Sequence, residues 1–133
     1  MYRTDANQKF AINTLVTDLK SAGVWTKMRA LYPFVGGSAT THMFNLKDPR
    51  DLNNAFRLRF NGGWTHSSTG ALPNGTNAYA NTFYNLSINS TNTNVSAGVY
   101  NRTNILNTNR LTYGAETGSS NFAGTALALK LAD

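Results

Sequence analysis

The chain has 133 residues, twelve Lys/Arg against six Asp/Glu for a net charge of +6, and no cysteine. That length suits one domain with a single core, and the missing thiols exclude a disulfide framework and thiolate metal sites. An apolar fraction of 41% argues against disorder, and no run approaches the roughly 20 apolar residues that cross a bilayer.

The first element predicted is a helix over residues 6–22. Asp5 followed by Gln8 resembles a capping box, Ile12, Leu15, Val16 and Leu19 recur at helical spacing, and Gly23 can take the left-handed position just past the end. Val24 and Trp25 follow the stop, where an apolar side chain folds back on the last turn, and Pro33 ends any continuation. Composition changes there, so residues 1–33 read as an N-terminal helical segment and 34–133 as a β-rich domain.

From Ala55 the period becomes two. "AFRLRF" sets Phe56, Leu58 and Phe60 on one face and Arg57 and Arg59 on the other, with the apolar face predicted to receive the helix. Further strands are expected at "FYNLSI", "VSAGVY", "RLTYG" and "ALALKL", spaced about ten residues apart as in an antiparallel sandwich. Between them lie turn formers: Gly62-Gly63, Asn74-Gly75 for a tight hairpin, and Asp48-Pro49. The fold class expected is mainly β, an antiparallel β-sandwich behind an N-terminal α-helix, with Ile12, Leu15, Val16, Leu19, Trp25, Phe56, Leu58 and Phe60 in the core.

The stretch "GGWTHSSTGALPNG" carries the residues most suggestive of chemistry. His66 is a candidate base beside Ser67 or Ser68, but neighbours on an extended strand point to opposite faces and no acid lies within ten residues to orient the imidazole. The chain reads as non-enzymatic. His42 and His66 can meet in space and bind a metal, yet one Glu and five Asp leave few further ligands, so neither metal nor cofactor is expected. The bases are scattered rather than clustered, which does not favour nucleic acid. Trp64 reads first as a core anchor. In a sugar-binding alternative, Trp64, Tyr79, Phe83 or Tyr84 stacks on a ring while Asn side chains bond its hydroxyls. The Asn-x-Ser/Thr triplets follow from composition, and with no export signal at "MYRTDANQKF" they do not read as glycan acceptors.

The run from "AINTLVTDLKSAGVW" through "NLKDPRD" to "FRLRFNGGWTHSSTGALPNGTNAYANTFYN" resembles phage-encoded virion proteins bearing a concanavalin A-like, or laminin G-like, β-sandwich, over roughly residues 10–85. The resemblance implies a structural role in the particle as a capsid decoration, head fibre, or tail or neck appendage. Its expected partners are other virion proteins and copies of itself, with a trimer favoured, and it implies no catalytic residues. It places the chain in the virion, with synthesis expected in the host cytoplasm without a signal peptide. A complete sandwich of this kind needs more strands than the chain supplies, so "ALALKL" is expected to present an unpaired edge that invites association. In that setting Trp64, His66, Tyr79, Phe83 and Tyr84 are the candidate contacts to a partner or to a host-surface glycan.

Overall fold

The N-terminal helix forms where its caps are strongest. In the computed structural model, which describes residues 5–89, 96–102, 113–116 and 126–130, α1 spans Ala6–Ser21. The Asp5 carboxylate accepts from the amides of Asn7 and Gln8, satisfying donors that the first turn leaves open. At the other end Gly23, at φ 68°, lets its own amide reach Lys20 O and that of Val24 reach Leu19 O. This is the Schellman pattern, and the left-handed residue it needs is the expected glycine.

What α1 packs against differs from expectation. Ile12, Val16 and Leu19 are half-buried, Leu15 is exposed, and no residue of the helix is buried. Its main neighbour among the described residues is the 3-10 turn Trp25–Lys27, not the sheet. Periodicity identifies an apolar stripe but not what covers it. Trp25 is itself half-buried, with Lys47 Nζ 4.2 Å above its ring.

After a four-residue helix, α2 at Ala39–His42, and a 3-10 turn at Asn53–Ala55 come β1 (Arg59–Asn61), β2 (Trp64–Ser67), β3 (Gly70–Pro73) and β4 (Tyr79–Asn85). A helical turn, α3 (Leu86–Asn89), then precedes β5 (Tyr113–Glu116) and β6 (Ala126–Lys130). One sheet runs β1-β4-β6-β5 and a second is the β2-β3 hairpin. The described residues therefore form a small mixed α/β arrangement with two sheets.

The pairs β1-β4 and β2-β3 are antiparallel, as a sandwich requires, whereas β6 runs parallel to both β4 and β5. The last strand is thus interior, with neighbours on both sides, and the expected unpaired edge at "ALALKL" is not there. Leu131 lies outside the described residues. Residues 96–100 of the predicted strand "VSAGVY" carry no regular structure and are exposed, and residues 110–112 of "RLTYG" fall outside the description.

The core lies where β4 meets the loops before β1. Ala78, Ala80, Thr82 and Tyr84 are all buried, at successive even positions, which is the period of a strand with one covered face. Phe83, at φ 56°, interrupts the ladder between Asn81 and Asn85, a bulge held by the Asn81 side chain accepting from the Phe83 amide. Leu58 is 2% exposed, while Phe56 and Phe60 are half-buried.

The apolar face predicted for 55–60 therefore exists, but most of it is not strand. Phe56 is left-handed at φ 58°. The carbonyls of Ala55 and Phe56 accept from Asn45 and Tyr32 side chains, and the Leu58 amide donates to Met43 O. Backbone groups engaged by loops are withdrawn from a ladder.

Asn45 organises that region. It is 1% exposed, its Oδ1 accepts from the amides of Leu31 and Lys47, and its Nδ2 donates to the carbonyls of Ala55 and Arg29. All four hydrogen bonds open to a carboxamide are made. Gly62 closes the entry to the hairpin: at φ 74° an added Cβ would meet Asn77 O at 2.1 Å, so only glycine fits.

Candidate functional site

His66 lies on β2 and alternates inward, as the burial of that strand shows, with Trp64 and His66 half-buried and Thr65 and Ser67 exposed. The strand is pinned by a hairpin whose register pairs Trp64 with Pro73 and Ser67 with Gly70, leaving Ser68 and Thr69 as a two-residue turn. Ser68-Thr69 carries no strong turn signal in the sequence. Asn74-Gly75 instead links β3 to β4, which lie in different sheets.

His42 arrives from the opposite side. Ser38 caps α2, accepting from the Thr41 amide while the Thr41 hydroxyl accepts from the Ser38 amide, and this capping box fixes the single turn that ends at His42. Gly37 lets the α2 entry lie close on the hairpin turn, where an added Cβ would meet the Ser68 amide nitrogen at 3.2 Å.

The two imidazoles meet with Nδ1 facing Nδ1 at 2.9 Å. One ring must supply the proton for that hydrogen bond and the other must accept it. Around them Phe34 and Phe60 present edges, with centroids 5.5 Å from His42 and 4.6 Å from His66 respectively, and the Trp64 indole stacks at 6.3 Å from His66. His42 is fully buried, and its Nε2 is a buried atom with no protein partner. Unpaired acceptors are tolerated better than unpaired donors. The tautomer favoured is therefore His42 donating from Nδ1 and leaving Nε2 bare.

Burial among apolar rings disfavours the charged form, and a nearby imidazole adds to it. Burial pushes the His42 imidazole down to about 4, with His66 reinforcing the shift. His66 is lowered too, by burial. Both rings are accordingly neutral at pH 7.

This arrangement does not resemble a nucleophile and base. The only ring nitrogen of His66 with a described partner faces another imidazole rather than a hydroxyl, and Ser67 Oγ engages Thr69 and Gly70 within its own turn. Among the described residues no group of three His, Cys, Asp or Glu converges on one point.

Of the other candidate contact residues, Trp64 lies beside His66, whereas Tyr84 packs on Phe56 instead. Trp64 donates its indole N–H to Asn61 O at 2.9 Å, and the same N–H also points to Tyr79 O at 3.3 Å. Tyr84 is buried, with its hydroxyl donating to Asn89 O and its ring packed edgewise on Phe56. Phe83 is half-buried in the bulge, and only Tyr79 of the four proposed stacking rings is exposed. The residue sequence reasoning missed is Asn45, whose signal is faint: a single Asn before a Lys-Asp-Pro turn.

Comparison with known proteins returned no matching family model, no matching curated protein and no matching solved structure. Among the described residues no helix is long and apolar enough to cross a membrane.

Proposed function

We propose that the chain is a non-enzymatic structural component of a bacteriophage particle, a capsid decoration, head fibre, or tail or neck appendage, acting through protein contacts. The observation that carries the assembly part is α1. Sixteen residues of well-capped helix bury no side chain of their own, although most helical stability in proteins comes from packing of an amphipathic face. Phe10 is 73% exposed and Leu15 39%. A helix in this state gains stability by covering its apolar side chains, and copies of the same chain or a neighbouring coat protein are the proposed cover.

The phage setting rests on the resemblance of residues 10–85. In this reading the antiparallel pairs β1-β4 and β2-β3 belong to a β-sandwich of the concanavalin A-like type, with the parallel β6 as its departure. Catalysis is not part of the role, a view supported by the His66 ring being turned to His42. A glycan-binding role ranks second, because of the four rings expected to stack on a sugar only Tyr79 is exposed, which gives a weak stacking platform. Mass spectrometry of purified particles tests the setting. The chain should be present at a fixed copy number, and its absence from particles would remove the virion reading.

A further inference from the structure

We propose that Asn74-Gly75 is a self-modification site: the Gly75 amide nitrogen attacks the Asn74 carboxamide and expels ammonia, while the fold holds the other Asn-Gly pair, Asn61-Gly62, unreactive. Glycine carries no side chain to shield its nitrogen, so a residue followed by glycine is where this ring closure is least hindered. The chain has two such pairs, and the structure places them differently.

At Asn74 the carboxamide is folded forward over the turn that contains Gly75. Its Oδ1 accepts from the amides of Thr76 and Asn77 at 3.0 and 3.2 Å. Negative charge develops on that oxygen during the attack, so two donors already face it. Asn74 is exposed to water, and among the described residues no backbone carbonyl takes the Gly75 amide proton, which leaves the nitrogen free to turn on its neighbour. At Asn61 the carboxamide is turned back, with Nδ2 donating to Arg59 O at 3.0 Å. The peptide plane joining Asn61 to Gly62 is pinned at its carbonyl by the Trp64 indole N–H, and Gly62 lies tight against Asn77 O.

The step needs only the chain and water. The Gly75 N–H gives its proton to hydroxide, the N–Cγ bond forms, the Cγ–Nδ2 bond breaks, and Nδ2 leaves as ammonia after taking a proton from water. Water then opens the cyclic imide at either carbonyl, giving aspartate or its β-linked isomer. The product fits poorly. Asn74 Nδ2 donates to Asn77 Oδ1 at 2.7 Å, and that oxygen also accepts from the Gly63 amide at 3.2 Å. A carboxylate there sets acceptor against acceptor, and Asn77 cannot turn its amide over without abandoning Gly63. Modification therefore loosens the junction of the hairpin with β1 and β4.

The test incubates the full chain in mildly alkaline buffer, native and in guanidinium chloride, and reads chymotryptic peptides, which part the two pairs at Trp64, by mass spectrometry. In the native chain the gain of one mass unit is expected at Asn74 at least about tenfold faster than at Asn61, with the two rates converging in guanidinium. Asn74→Asp, which reproduces one product, should melt about 3–6 °C below wild type. Native Asn61 converting as fast as Asn74, the same ratio of rates in guanidinium, or no conversion of native Asn74 while the denatured chain converts would overturn the proposed reaction, and unchanged melting of Asn74→Asp would overturn its consequence.

Discussion

Lowering the pH should destabilise this protein chiefly through His42, with His66, also lowered by burial, acting in the same direction. His42 is fully buried and its pKa is lowered from 6.5 to about 4, so between those values the unfolded chain binds a proton that the folded chain refuses. Stability is then complete above pH 6.5, falls as the pH drops through that window, and levels off below about 4. Refusing that proton down to about pH 4 rather than 6.5 corresponds to at most about 3 kcal/mol, a substantial part of the stability of a small domain. The assay is urea unfolding in EDTA between pH 7.5 and 4, comparing wild type with His42→Gln. The variant is expected to be less stable at pH 7.5 but flatter across the window. Equal slopes in the two proteins, or an NMR titration placing His42 near 6.5, would refute the reasoning.

Replacing Leu58, 2% exposed, with Asp should unfold the domain by leaving an unpaired charge in the core, whereas Arg57→Ala removes an exposed pair with Asp51 and should cost below about 1 kcal/mol in denaturant titrations. Asn45→Ala leaves the amides of Leu31 and Lys47 and the carbonyl of Ala55 without their partner. A loss of about 2–4 kcal/mol is expected by the same measurement, and a change under about 0.5 kcal/mol would show that water replaces the carboxamide. A screen against esters, peptides and polysaccharides should find no turnover, and activity abolished by His66→Ala in a folded protein would reverse the non-enzymatic reading.

The parts legible in the sequence are those decided locally. Asp5 and Gly23 mark α1 because capping is settled within a few residues. "ALALKL" marks β6 because alternation is a property of the segment alone, while its neighbours and their direction are not. The sequence pattern starts the strand 79–85 only at Phe83, because the first buried residue of the strand is Ala80, which carries little hydrophobic signal. The hairpin turn at Ser68-Thr69 was masked by stronger turn formers on either side. Residues 53–58 show a strand pattern overridden by tertiary hydrogen bonds from Asn45 and Tyr32. The meeting of His42 and His66 across 24 residues depends on two turns being correct at once, so sequence reasoning could name the pair without placing it.

Assembly through α1 is decided by sedimentation of the full chain. The wild type should sediment as a homo-oligomer, a trimer in the favoured form, and a variant carrying Asp at both Leu15 and Val16 should shift to monomer while keeping its circular dichroism spectrum. A wild-type chain that sediments as a monomer at all concentrations, or a variant that remains oligomeric, would contradict the claim.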